Sequence, residues 1–147
     1  MLSPIQIKRH YINSVEFDTI KECVDKGEEE IQFSLRSRKV DNHWHVILGV
    51  RFGPKEEVSV THFKGKVEAE GVFKVSEDFP EEKVSDLVNM NGGAILYGAI
   101  REIVMTLSSR SRYGPLELPT IDARIFIEIA KKAIPKNKDT KEDEIRT

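Results

Sequence analysis

Four clusters in this chain combine residue types that can carry chemistry. In His43-Trp44-His45 the two imidazoles lie two residues apart, which on a β-strand puts them on one face about 7 Å from each other. Such a pair could begin a metal site. A zinc-type ion needs three or four ligands, however, and spacing fixes no further His, Cys or carboxylate beside it. Solvent-facing strand histidines are the simpler reading, and His10 and His62 are isolated. Cys23 is the only cysteine and sits in a polar stretch with no histidine at a motif spacing that would make it a nucleophile. Asn91-Gly92-Gly93 precedes a helical pattern and could cradle a phosphate on backbone N–H groups, but the strand and lysine of a phosphate-binding loop are missing. It reads as a helix break. Arg36, Arg38 and Lys39 form one basic cluster, and Arg110 and Arg112 with Tyr113 form another. Nucleic-acid binding would use such clusters, yet Glu28-Glu29-Glu30 and Glu56-Glu57 dilute the field. No serine stands in a nucleophile elbow. The sequence therefore specifies no catalysis, and no cofactor, metal or nucleic acid is expected.

The elements that must position these residues follow from periodicity. Ile5, Ile7, Tyr11, Val15 and Phe17 share one parity, interrupted at Arg9 and Asn13, which predicts a first strand with a bend or bulge. Thr19 to Glu30 is polar and reads as a loop. Ile31, Phe33 and Leu35 alternate with polar residues, and so do Trp44, Val46, Leu48, Val50 and Phe52; a tight Asp41-Asn42 connection joins them. A fourth strand is expected over Glu57 to Val75, with Gly65 and Gly71 marking bulges or bends. After Pro80 the period becomes helical. Val84, Leu87 and Val88 form a short stripe up to Asn91-Gly92-Gly93. A second helix from Ala94 to Ser109 carries Ile95, Leu96, Ala99, Ile100, Ile103, Val104 and Leu107. A loop with Gly114, Pro115 and Pro119 leads to Thr120 as a plausible N-cap. The last helix is expected from Ile121 to Ile134, with Pro135 closing it.

The 147 residues, with 39% hydrophobic, 33% charged and a net charge of -2, fit one soluble domain. That balance excludes a strongly disordered chain and a binder of nucleic acid by bulk charge. No apolar run reaches the roughly 18 residues of a membrane span, and Met1 to His10 lacks the apolar segment of a secretion signal. A cytoplasmic location is expected. The element order β-β-β-β-α-α predicts an α+β fold: a four-stranded antiparallel sheet, a long broken helix and a C-terminal helix. Residues 1–135 are expected to form the domain and 136–147 a disordered charged tail. The apolar residues of the last helix surround most of it, more than one sheet can cover, so the excess must meet another subunit or an apolar ligand.

Several stretches in order resemble the SecB export-chaperone family. Ala94-Ile95-Leu96-Tyr97-Gly98-Ala99-Ile100-Arg101-Glu102, continuing to Ser109-Arg110, is similar to its apolar-aromatic run with Arg-Glu and Ser-Arg. Pro115-Leu116-Glu117-Leu118-Pro119, followed by Phe126, resembles its loop into the last helix. Gly71-Val72-Phe73 and Ile5 to Tyr11, with Val15 and Phe17, resemble its strands. Gly98 stands where the family usually has proline. The resemblance implies a homotetramer, a dimer of dimers. It also implies an ATP-independent holdase that is no enzyme, binding unfolded polypeptides in apolar grooves and keeping them competent for export. On that basis Trp44, Tyr113, Leu116, Leu118, Phe126 and Ile127 are expected to contact clients. The family docks the translocation ATPase SecA through acids on the exposed sheet face. Asp18 matches one such position, Glu56 and Glu57 lie near another, and Ser14 stands where an acid is expected. Two other roles remain open: a dedicated chaperone of a toxin–antitoxin system, and a small-ligand-binding protein or enzyme on a related scaffold.

Overall fold

The structure, a computed structural model, describes residues 1–133. The expected helix end at Ile134 and Pro135 and the charged tail at 136–147 lie outside those residues. Four strands, β1 (Ile5–Thr19), β2 (Glu29–Val40), β3 (His43–Pro54) and β4 (Phe63–Val75), form one antiparallel sheet in the order β1-β4-β3-β2. Strands β2, β3 and β4 follow one another along the sheet, while β1 returns beside β4, a Greek-key arrangement. The β2–β3 connection has two residues, Asp41 and Asn42, both with positive φ (48° and 66°). That is the twist a two-residue hairpin requires, and Asn and Asp tolerate it best after glycine.

Alternation decides the faces. Leu35, Val46, Leu48, Val50, Val67, Ala69 and Phe73 point to the helices and are buried. In β1 the register shifts between Ile7 and Arg9 and again between Ile12 and Ser14. Two bulges flip the parity and restore it. The expected interruption at Arg9 and Asn13 is therefore present, but Tyr11 leaves the core side. It lies opposite Glu70 on the polar face, and Ile12 packs against the core in its place.

The expected strand start at Glu57 is corrected to Phe63. Residues 55–62 form a loop in which Ser59 donates to the Thr61 carbonyl and accepts from the Thr61 N–H. These local bonds compete with a ladder. The loop pairs instead with the β1–β2 crossover, through Ile20 N–H to the His62 carbonyl (2.7 Å) and Val24 N–H to the Ser59 carbonyl (2.8 Å). Gly65 and Gly71 do not bulge. A Cβ at Gly65 would stand 2.6 Å from the Phe52 ring and one at Gly71 2.6 Å from the Phe73 ring, so these glycines make room for aromatics.

Helix α1 (Glu81–Leu87) runs through a π-helical turn (Val88–Gly92) directly into α2 (Gly93–Ser109). Asn91-Gly92-Gly93 thus does not end a helix; Gly92 is right-handed (φ -61°, ψ -46°), and the break is one wide turn. The wide turn carries buried Asn89, whose carbonyl oxygen accepts from Ser37 Oγ (2.7 Å). Gly93 is required because a Cβ would lie 2.6 Å from the Phe126 ring. The last helix, α3 (Ile125–Ala133), starts four residues later than expected. Asp122, not Thr120, organises its start: its carboxylate accepts the Arg124 N–H (3.0 Å), and its carbonyl accepts the Ile125 N–H (3.0 Å).

Candidate functional site

The six expected client residues divide into two groups. Phe126 and Leu118 are core. Phe126 is fully buried and meets the Phe33 ring edge-on (5.7 Å, 89°), with Tyr97 at 6.5 Å; Leu118 is 3% exposed. Neither offers surface to another molecule in this conformation. Trp44, Tyr113, Leu116 and Ile127 are half-buried. Tyr113 stacks flat on His62 (3.8 Å, 7°), and the His62 Nδ1 lies 2.7 Å from the Ile20 carbonyl and 3.2 Å from Cys23 Sγ. Trp44 is level with Phe73, at the far end of β4 from His62. Ten residues separate Phe63 from Phe73, about 33 Å of strand, so Trp44 and Tyr113 do not share one patch.

The loop between α2 and α3 is held down by α2 side chains. Buried Ser108 Oγ accepts the Leu116 N–H (2.7 Å). Arg101 Nε donates to the Leu118 carbonyl (3.0 Å) and its guanidinium lies 3.5 Å from Glu117. Tyr97 Oη donates to the Pro119 carbonyl (2.5 Å). Burial pushes the Tyr97 hydroxyl pKa up, so it stays a donor. These three residues explain why an Arg, a Tyr and a Ser recur along the helix facing a Pro-Leu-Glu-Leu-Pro loop: each captures a backbone group that a loop leaves unpaired. The capture turns Leu118 inward and leaves Leu116 at the rim.

Sequence reasoning missed Ile31, Phe33 and Ile121. All three are half-buried and pack against the core beside the expected residues. The alternation of β2 placed Ile31 and Phe33 on the helix face, and that signal marks them as rim residues once α3 is seen lying over β2.

Among the described residues, α2 leaves more large apolar side chains exposed than the last helix does. Leu96, Ile100 and Val104 are buried, while Ile95 and Leu107 are each 40% exposed, with half-buried Ala99 and Ile103 between them. Ile95, Ala99, Ile103 and Leu107 stand at i, i+4, i+8 and i+12, one line along the helix about 18 Å long. Among the described residues of α3, only Ile125 is an exposed large apolar side chain, at 36%.

The acids of β1 stand opposite lysines in the strand register. Asp18 is paired across strands with Lys64, Glu16 with Lys66, and Ser14 with Glu68. Glu56 and Glu57 are exposed in the loop after β3. In the middle of the same face Tyr11 Oη donates to the Glu70 carboxylate (2.5 Å), and Asn13 bridges Glu68 and Glu70. The bond from Tyr11 pulls the Glu70 pKa down and pushes the Tyr11 pKa up. His45 lies 3.8 Å from Glu70, and His43 Nδ1 lies 3.1 Å from the Asp41 carbonyl. Among the described residues no three His, Cys, Asp or Glu side chains converge as metal ligands, and no helix is long and apolar enough to cross a membrane.

The chain is 24% identical over 143 residues to the protein-export protein SecB of Jannaschia sp. (strain CCS1), covering 90% of this chain and 81% of that one. Its fold matches the Mycobacterium tuberculosis Rv1957 SecB-like chaperone, solved in complex with a ChAD peptide from the Rv1956 HigA1 antitoxin. That match has a TM-score of 0.63 at 18% identity, over 80% of this chain and 91% of that chain. The family model for the preprotein translocase subunit SecB matches residues 2–132. The chain belongs to the SecB family.

Proposed function

We propose that this protein is an ATP-independent chaperone that assembles as a homotetramer and holds unfolded polypeptides on half-buried apolar side chains. The observation that carries the reading is the division of its apolar surplus. The straight Ile95-Ala99-Ile103-Leu107 line suits contact with another helix, whereas the irregular rim of Ile31, Phe33, Tyr113, Leu116, Ile121 and Ile127 suits an extended chain. Such a rim gains about 25 cal/mol per Å² buried and reads no side-chain identity. Several weak contacts along one client then add through effective concentration.

The client role separates from the assembly role by mutation. Leu116→Asp and Ile127→Asp, both at half-exposed positions, are expected to weaken suppression of client aggregation without nucleotide, with oligomer mass unchanged. Ile95→Asp with Leu107→Asp is expected to lower that mass, read by light scattering. If the Leu116 and Ile127 variants protect clients as well as the parent does, the rim is not the client surface.

A second reading, a chaperone dedicated to an antitoxin rather than to export, is favoured by the lysines that stand opposite the β1 acids. Asp18 and Glu16 each stand opposite a lysine in the register, and Ser14 supplies no charge, which supports a weaker acidic field than the family uses to dock SecA. Direct titration with SecA decides between them: export predicts binding, and the dedicated role predicts none.

A further inference from the structure

The polar face of the sheet changes charge along its length. At the end near Gly53 the cations Arg51, Lys64 and Lys66 share a depression with Glu16, Asp18 and Glu30. At the opposite end the row Arg38-His45-Val72-Arg9 crosses all four strands, and Lys74 follows Val72 two residues later on the same face. Arg9, Arg38 and Lys74 are exposed, and among the described residues no carboxylate stands within 4 Å of them. Arg9 leans on the Tyr11 ring (5.9 Å), and the nearest acid on the face, Glu70, is already engaged by Tyr11, Asn13 and His45. At one end of the face the cations thus share a depression with three carboxylates, and at the other the neighbouring carboxylate is already engaged.

We propose that this cationic row is a docking surface for an acidic, extended segment of a partner protein. Three strand spacings separate Arg9 from Arg38, about 14 Å. Carboxylates at i and i+4 of an extended peptide lie about 13 Å apart on one side, which matches that span. The i+2 side chain then falls over His45 and Val72, where a third carboxylate gains a histidine partner. Charge-assisted bonds to arginine forks favour carboxylates presented in this way. The surface lies on the opposite side of the sheet from the client rim, so a segment could dock while a client is held.

The test uses fluorescein-labelled hexaglutamate as probe, followed by anisotropy on the full chain. Binding is expected at low salt and a loss of at least tenfold at 0.3 M salt, because exposed charges are screened. Arg9→Glu with Arg38→Glu is expected to reduce affinity at least tenfold, and the milder Arg9→Ala with Arg38→Ala severalfold. Lys64→Glu with Lys66→Glu, at the end near Gly53, is expected to leave affinity within twofold. Circular dichroism confirms the sheet in each variant. The proposal is overturned if the probe does not bind, if both ends lose affinity alike, or if an oligothymidine binds this row in place of the peptide. Client holding by the Arg9 and Arg38 variants stays at the parental level, so failure here is distinguishable from failure of the chaperone reading.

Discussion

Removing the Phe126 ring tests how α3 is attached. Among the described residues of α3, Phe126 alone is fully buried; Ile129 and Ala130 are half-buried. Its ring fills the space between Phe33, Tyr97 and the bare Cα of Gly93. Truncating a buried phenylalanine to alanine costs about 3–5 kcal/mol. The ring also packs edge-on against two other aromatics, which places this site in the upper part of that range. A nine-residue helix has almost no stability of its own in water, so its docking free energy is mostly that ring. In Phe126→Ala the cost of about 4 kcal/mol therefore exceeds what holds α3, and the helix detaches before the sheet unfolds. Amide hydrogen exchange resolves the two events. Residues 125–133 are expected to lose nearly all protection, while β3 and β4, whose inward side chains are buried against α2, keep theirs. If 125–133 stay protected, or if the sheet loses protection equally, α3 is not an independently docked unit and the reasoning fails.

Two further perturbations follow from local geometry. Gly93→Ala places a Cβ against the Phe126 ring and is expected to destabilise the fold by about 1–2 kcal/mol despite alanine's better helix propensity, whereas Gly98→Ala, with nothing within 4 Å, gains up to about 1 kcal/mol in the same helix. Denaturant titration of both reads the sign, and equal effects would refute the close-approach role of Gly93. At the start of α3 the Arg124 side chain and N–H bond the Asp122 carboxylate and hold its pKa at about 2, below the ordinary 3.8. A depressed carboxylate stabilises the folded state above about pH 4, and that contribution is lost as pH falls through about 2. Carboxyl NMR is expected to show this titration in the parent and a return toward 3.8 in Arg124→Ala.

The strands and the long helix were legible because each carries its burial pattern within itself. Val46, Leu48, Val50 and Phe52 alternate, and Leu96, Ile100 and Val104 recur every turn; both patterns report a face that one neighbour covers. What escaped depended on partners distant in sequence. Tyr11 shares parity with Ile7 and Val15, and only the paired bulges against β4 move it to the polar face beside Glu70. Gly92-Gly93 has the composition of a helix stop, yet the glycines serve contacts with Val46, Phe73 and Phe126 from other elements. Leu116 and Leu118 look alike in a loop. Their difference comes from Arg101 and Ser108, which bond the loop backbone and turn one leucine inward. Family resemblance pointed to this loop, but it could not separate the half-buried leucine from the buried one without those bonds.

The placement of exposed apolar side chains has a consequence for how holding and assembly coexist. A chaperone surface must stay open, while an oligomer surface must close, and both are made of the same kinds of side chain. Under the proposed function, rigidity keeps the two apart in this fold. The α2 line sits on a 17-residue helix anchored to β3 and β4 by Leu96, Ile100 and Val104, so Ile95, Ala99, Ile103 and Leu107 are held in fixed register and can meet a second copy as matched ridges. Apart from Ile31 and Phe33 on β2, the proposed rim residues sit on the loop held by three α2 side chains and on a short helix held by one ring. On the proposed function these loop and helix residues are expected to adjust to clients of different shape without disturbing the sheet. If the proposed function holds, fixed geometry is expected to serve self-assembly on one side and adaptable geometry varied clients on the other.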